Sequence, residues 1–457
     1  MNTLFLLQTA AERLDAARQG LDTPLLERLI GLLGMATMIG IAVLLSYDRK
    51  RINWRLVAAG LGIQAVFGII VLKTAAGRAF FSAVGDAITG LLRFQEQGAR
   101  FVFGNLVQSQ VPVGVPGANG ALDTTAGLVA NTGAFFAFNV LPTIIFFSAL
   151  MSVLYYLGVM QAVVKGLAWV MQKSLGTSGA ETLSASGNIF LGQTEAPLLI
   201  KPFVKTMTKS ELLTVMVGGF ATVAGGVLAA YVGMLSGMFP NIASHLLAAS
   251  VMNAPAGLLL SKIIMPETEE PVTKGSLRMD TEVPESSVIE AAAGGAGQGL
   301  QLALNVAAML MAFVALVALL NFLLGWAGGF VGYPELSLQA ILGFLLRPLA
   351  WVMGVPWADT AYVGGLIGLK TTLNEFVAYA QFATDLGSGM ALSPRSAIIL
   401  TYALLGFANF SSIAIQIGGI GGLAPERRPE IARFGLRAMI AGNLAAMLSA
   451  SLAGMLV

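Results

Sequence analysis

The sequence predicts an all-α polytopic membrane protein, with about eight transmembrane helices plus two re-entrant hairpins in inverted repeats, and with interfacial helices. Three observations predict it. The 457 residues are 56% hydrophobic and only 11% charged, with a mean hydropathy of +0.78, whereas soluble domains carry roughly 25% charged residues. Apolar stretches of the length a bilayer demands, about 20 residues, recur along the chain. Two further apolar stretches are interrupted by Gly and Pro, and each carries an acidic residue: Glu195 in GQTEAPLLI and Glu375 in TTLNEFVAY. A carboxylate near the bilayer centre costs about 2.5–3.5 kcal/mol on insertion scales. A chain that keeps two of them uses them.

Composition also excludes several functions. A net charge of +2 is too small for a nucleic-acid surface. Without cysteine there is no disulfide, thiolate metal site or cysteine nucleophile. The single histidine, His245, argues against a histidine metal centre and reads as a helix-end residue. Residues 1–28 lack the basic start of a signal peptide and read as a retained lead-in.

The spans follow in order. Leu29–Tyr47 and Leu56–Leu72 flank a loop holding Asp48, Arg49, Lys50, Arg51 and Arg55. The positive-inside rule places that loop in the cytoplasm and the N-terminus outside. Residues 76–104 mix apolar side chains with Arg78, Asp86, Arg93, Glu96 and Arg100, the pattern of a helix lying along the interface. A Gly/Pro loop at 107–128 leads to a third span, Thr132–Val159, and then to an amphipathic stretch, Gln161–Leu175. Thr177–Lys205, broken by Gly187, Gly192 and Pro197, is too interrupted to cross and reads as a re-entrant hairpin. Irregular backbone at that depth is tolerated only inside protein or beside a water-filled cavity. Spans at Glu211–Phe239 and Ile242–Met265 follow. The polar stretch 266–290 has seven acidic residues against Lys274 and Arg278, and reads as a cytoplasmic linker. A span at Gln301–Trp326, a second interrupted segment at Ala340–Leu386, and spans at Arg395–Leu423 and Ile431–Val457 complete the chain. The expected units are a lead-in (1–28), scaffold spans with the outer interfacial helix (29–160), and a first transport repeat (161–265). After them come a linker with an interfacial helix (266–300), a scaffold span (301–330) and a second transport repeat (331–457).

Gly219-Phe220-Ala221-Thr222-Val223-Ala224-Gly225 recurs as Gly406-Phe407-Ala408-Asn409-Phe410-Ser411-Ser412, each copy after its hairpin's glutamate and before one more span. The charge map inserts the two hairpins from opposite sides, so the repeat is inverted, as in many secondary transporters. Pro197 can open a helix at its first turn, which places Gln193, Thr194 and Glu195 at the positive end of a returning half-helix. Asn374 is a natural N-cap ahead of Glu375. Both glutamates then sit at hairpin tips that face each other near the midplane. The plainer role for each is an ion pair or a hydrogen-bond staple that holds a hairpin together, with Lys201 and Lys370 as conceivable partners. Asn409 and Ser412 share a helix face and read as ligands opposite the glutamates, or as interhelical glue worth about 0.6 kcal/mol each. Gly225-Gly226 and the Gly418–Gly422 run read as close helix packing or unwinding.

GQTEAPLLIKPF, GGFATVAGGVLAAYVGM, LNEFVAY and GFANFSSIAIQIGGIG resemble, in content and order, the concentrative nucleoside transporter family, from about residue 29 to the end. The resemblance implies a bacterial plasma (inner) membrane protein, a likeness to homotrimeric carriers with an elevator-like shift, and no enzymatic activity. It implies that Gln193, Thr194 and Glu195 contact the nucleobase, that Glu375, Asn409 and Ser412 hold the ribose hydroxyls, and that Phe407 and Val227 pack on the base. It carries over a sodium site as Asn188, Leu191, Thr222 and Val223, with threonine where many relatives have serine. The partners implied are a nucleoside and the lipid bilayer, with no nucleic acid and no cofactor beyond the coupling ion. Sodium is the expected ion and a proton the alternative; a related polar solute such as a nucleobase is the alternative cargo. A membrane hydrolase using the two glutamates as an acid–base pair lacks a nucleophile beside a base.

Overall fold

The computed structural model describes residues 23–457 except 109, 117–121, 124–128, 132–135, 240 and 277–284. The lead-in at 1–22, most of the Gly/Pro loop and the centre of the acidic linker therefore lie outside the described residues. Among the described residues, sixteen α-helices run in order. The first nine are α1 (Leu25–Leu44), α2 (Trp54–Lys73), α3 (Ala75–Phe103), α4 (Phe136–Tyr156), α5 (Val159–Leu175), α6 (Gly179–Gly187), α7 (Lys209–Ala221), α8 (Gly225–Leu235) and α9 (Ile242–Ile264). The remaining seven are α10 (Val288–Gly329), α11 (Leu338–Val352), α12 (Thr360–Thr372), α13 (Glu375–Gly387), α14 (Pro394–Leu404), α15 (Phe410–Leu423) and α16 (Arg428–Leu456). Among the described residues, seven stretches are long and apolar enough to cross a membrane. The loop after α3 holds two short antiparallel ladders, Gln110–Pro112 with Val129–Asn131 and Val115–Pro116 with Leu122–Asp123.

Four expectations change. The span expected at Arg395–Leu423 is two helices, α14 and α15, separated by Leu405–Asn409. The span expected at Glu211–Phe239 is likewise α7 and α8, separated by Thr222–Ala224. Neither break contains proline. Each is held open from a distance by an asparagine amide: Asn253 Nδ2 donates to Ala221 O at 2.8 Å, and Asn443 Nδ2 donates to Ala408 O at 2.8 Å. The boundary expected at residue 300 falls inside α10, a continuous helix of 42 residues. Gly295 and Gly299 are contact positions within it, because a Cβ would meet Ser152 Oγ at Gly295 and lie 2.7 Å from Ile145 Cα at Gly299. Finally, the second interrupted segment starts with a separate amphipathic helix, α11, and the hairpin proper is α12 with α13.

Two equivalent residues therefore receive the same bond in the two halves. Ala221 and Ala408 occupy the same place in the recurring heptad, and Asn253 and Asn443 lie in α9 and α16, the helices that follow each broken pair. The short sequence echo is a structural repeat. The two breaks also touch each other. Phe407 N donates to Thr222 O at 3.3 Å, and Gly406, at φ +118°, has no room for a side chain because a Cβ would lie 2.6 Å from Phe220 O. Helix α16 is the buried centre of the molecule and packs on α1, α7, α9 and α14. Helix α10 leaves Leu304, Met311, Leu319 and Phe322 outward.

Candidate functional site

The site is built where the two hairpin tips meet the two helix breaks. In the second hairpin, Asn374 Oδ1 accepts from Val377 N at 2.8 Å, so the cap expected from sequence starts α13 immediately at Glu375. That cap holds the Glu375 carboxylate in the interior, 4% exposed. Its oxygens are both engaged: Tyr231 Oη donates to Oε1 at 3.1 Å and Asn409 Nδ2 to Oε2 at 3.0 Å. Tyr231 comes from α8, one turn after Val227 on the same face, and stacks on Tyr379 with ring centroids 4.3 Å apart. Asn409 stands at the start of α15, where its Oδ1 accepts from Ser412 N at 2.9 Å. It is thus an N-cap at a helix break, not a residue riding within a continuous span.

The first tip joins the same chain of bonds. Gln193 Nε2 donates to Ser412 Oγ at 3.1 Å, and Gln193 Oε1 accepts from Gln416 Nε2 at 3.1 Å. Gln416 Nε2 also donates to Met216 O at 3.0 Å, tying α15 to α7. The approach is close enough to need glycine: a Cβ at Gly219 would lie 2.8 Å from Gln193 Cβ, and one at Gly419 would lie 2.6 Å from Thr194 Cγ2. One connected run of polar groups thus extends from Gln193 through Ser412 and Asn409 to Glu375 and Tyr231. It links both hairpins, both broken helices and opposite halves of the sequence.

Glu195 behaves differently. It is exposed, and its carboxylate folds back over Gly192 and accepts from Thr194 Oγ1 at 3.0 Å. The return arm is not the α-helix expected from Pro197. It is a 3-10 stretch, Ala196–Phe203, kinked at Ile200 (φ −124°, ψ 16°), where Pro202 interrupts the hydrogen-bond ladder. Glu195 makes no cap bond there, so the helix-end argument for this tip fails. Phe407 is half-buried in the second break, beside Thr222, and Val227 is buried in α8. Neither glutamate forms an ion pair with Lys201 or Lys370 among the described residues.

Asn188, Leu191, Thr222 and Val223 come together where the first hairpin breaks beside the first helix break. Gly225 N donates to Phe190 O at 2.8 Å across that junction. Asn188 is fully buried, and both of its side-chain polar atoms lack a partner. Among the described residues, the carbonyls of Asn188, Leu191 and Val223 accept no hydrogen bond. Buried acceptors without donors are costly, and a cluster of oxygens is the donor set a hard cation takes. Thr222 Oγ1 donates to Gly218 O at 2.9 Å, which leaves its oxygen lone pairs available.

Sequence reasoning missed three groups. Tyr231 and Gln416 complete the polar chain; the signal was their spacing, four residues after Val227 and after Ser412. The third is a buried charge cluster at the base of the first hairpin. Lys262 Nζ meets Glu181 Oε2 at 2.7 Å and Glu267 Oε2 at 3.3 Å, while Ser178 Oγ donates to Glu211 Oε1. Two capping boxes, Ser178 with Glu181 and Thr208 with Glu211, stand back to back there. The S/T-x-x-E spacing was the legible sign.

Comparison with known proteins gives the geometry its relatives. Residues 245–454 match the family described as Na+ dependent nucleoside transporter C-terminus, 33–106 match the corresponding N-terminus, and 137–238 match a nucleoside recognition Gate. An uncharacterized transporter of Haemophilus influenzae is 47% identical over 432 residues, covering 94% of this chain and 98% of that protein. The solved structure of CNTnw in an inward-facing substrate-bound state is 46% identical, with a TM-score of 0.82 over 94% of this chain and 97% of that one. The chain belongs to the concentrative nucleoside transporter family. The mouse sodium/nucleoside cotransporter 1 is 41% identical over 443 residues, and the chain spans 64% of its length. Solved members of the family stand in outward-facing and inward-facing states. The family consists of carriers and not enzymes, and this member is a multi-pass bacterial membrane protein.

Proposed function

We propose that this nucleoside transporter is a sodium symporter whose solute site is the polar chain joining the two hairpin tips. The observation that carries the reading is the double engagement of the Glu375 carboxylate by Tyr231 and Asn409. A ribose offers two vicinal hydroxyl donors, and an ionised carboxylate accepts from both. Bonds to a charged group are worth roughly 1.5–3 kcal/mol each. Ser412 and Asn409 supply further polar atoms to the sugar. Gln193, Thr194 and Glu195 face the base edge, with Phe407 and Val227 as its apolar walls. The exposed carboxylate of Glu195 suits a partner that arrives from solution.

Asn188, Leu191, Thr222 and Val223 hold the coupling ion in this reading. The partnerless Asn188 amide supports it. The ion orders the break beside Gln193, so ion and nucleoside each raise the other's affinity. The hairpins with their broken helices move as one body against α4 and α10 in an elevator-like shift. The outward apolar face of α10 supports a homotrimer seated in the inner membrane.

Uptake of labelled uridine into vesicles carrying the purified chain tests the reading. A sodium gradient should drive accumulation, and its removal should abolish it. Accumulation under a proton gradient alone would assign a proton as the coupling ion. No uptake under either gradient would overturn the symport reading.

A further inference from the structure

Lys370 is a buried lysine that the solute site does not use. It lies in α12, two residues before the second hairpin's tip, and is 0% exposed. Its ammonium group donates to Ala403 O at 2.9 Å and to Leu405 O at 3.3 Å, carbonyls freed where α14 ends and the second break begins. It forms no ion pair among the described residues. Its hydrogen bonds go to main-chain oxygens alone, while the Glu375 carboxylate acts on it through space, and a charge in the interior of a membrane protein is expensive.

The repeat gives this lysine a counterpart. Ala221 and Ala408 are equivalent by their matching bonds from Asn253 and Asn443. The same offset pairs Met216 with Ala403 and Gly218 with Leu405. In the first repeat, the group that reaches this level from the first arm of its hairpin is Asn188: a Cβ built on Gly218 would lie 3.1 Å from Asn188 Nδ2. In the second repeat it is Lys370. Both residues stand at the C-terminal end of the first hairpin arm, and both approach the helix that follows one turn before its break. Where the first repeat offers oxygens and a partnerless amide, the second delivers a positive charge on a four-carbon stem.

We propose that the ammonium of Lys370 is a tethered cation, standing in the second repeat at the place where the first repeat takes its coupling ion. It is a positioning residue. It neutralises the carbonyls that the second break exposes, and so holds Leu405–Asn409 in the form that presents Asn409 to Glu375. Because one of the two equivalent places is filled by the chain itself, only the other exchanges its cation with solution. The inference rests on the sodium reading of the first repeat.

The experiment measures uridine affinity by calorimetry on the full chain in detergent, across a sodium series balanced with choline. Wild type should gain affinity with sodium with a slope near one. Lys370→Ala should lose about tenfold in affinity at fixed sodium, the scale of one charged hydrogen bond. It should then recover part of that loss with methylammonium, or with excess sodium at a steeper slope. Lys370→Met keeps the volume without the charge and should show the loss without recovery. Wild-type affinity and slope in Lys370→Met would overturn the inference, as would a loss in Lys370→Ala that no cation repairs. Failure of both variants to stay folded even with methylammonium present throughout purification would also overturn it. A wild-type chain indifferent to sodium would instead remove the reading beneath it.

Discussion

The two hairpins carry out one plan with different materials. The second is closed: α-helical on both arms, capped by Asn374, with Glu375 buried and doubly bonded and Lys370 seated on the carbonyls of the break. The first is open. Its return arm is a kinked 3-10 stretch, Glu195 is exposed, and Asn188 keeps two buried polar atoms without partners. Identical asparagine bonds to Ala221 and Ala408 show that the frame is the same. The contrast teaches that the symmetry of the fold positions the site, while departures from symmetry decide what binds. In the proposed reading, the self-satisfied hairpin supplies fixed geometry for the sugar, and the unsatisfied one supplies vacant valences for the base and the ion.

The largest expected effect breaks the closed side. Glu375→Gln keeps the size of the side chain but removes the charge and turns one of the two acceptors into a donor that faces either Asn409 Nδ2 or Tyr231 Oη. Two charge-assisted bonds at about 1.5–3 kcal/mol each predict a fall in uridine uptake of about a hundredfold or more. The thermal midpoint should fall only modestly, because Asn374 still caps α13 and the amide keeps the volume and one acceptor. Normal uptake by this variant would reduce Glu375 to a structural role.

Next, Asn188→Ala acts on the open side alone. It should raise the sodium concentration needed for half-maximal uptake by about tenfold, the worth of one ligand at roughly 1.4 kcal/mol, while uptake at saturating sodium stays near wild type. An unchanged sodium response would separate Asn188 from the ion. Asn409→Ala tests the junction of the two sides. It removes an N-cap worth about 1 kcal/mol and one bond to Glu375, so uridine affinity should drop by about tenfold and 2′-deoxyuridine affinity by less. Equal losses for the two nucleosides would place Asn409 away from the ribose. The smallest effect belongs to Tyr231→Phe, which removes a hydroxyl that bonds the carboxylate and acts on the solute only through it, and should cost about threefold to fivefold in affinity, near 1 kcal/mol. An effect as large as that of Glu375→Gln would mean the tyrosine, and not the carboxylate, organises the site.

Much of this was legible in the chain. Hydropathy placed the spans, Gly and Pro marked both hairpins, and the Gly-Phe-Ala echo located the repeat. Asn374 announced a cap that the structure contains. What was hidden depends on partners far away in sequence. The break at Thr222–Ala224 is held by Asn253 and that at Leu405–Asn409 by Asn443, so neither local propensity nor proline could reveal them. The Cβ-free surface of the α10 glycines is used by α4, a contact no local pattern contains. Lys370 looked like an ion-pair partner for a glutamate; it acts on Glu375 through space, but its ammonium bonds to main-chain oxygens left free where a helix ends. The cluster of Glu181, Glu211 and Lys262 was written in the capping boxes, but their burial follows from tertiary packing.

The most direct measurement of the central claim is a thermodynamic cycle on the two tips' shared solute. Affinities of uridine and 3′-deoxyuridine are determined for wild type and for Glu375→Gln under saturating sodium. Loss of one hydroxyl should weaken wild-type binding by about ten- to a hundredfold, and Glu375→Gln should bind the two nucleosides almost equally. A hydroxyl penalty that survives in the variant would contradict the placement of the ribose against Glu375.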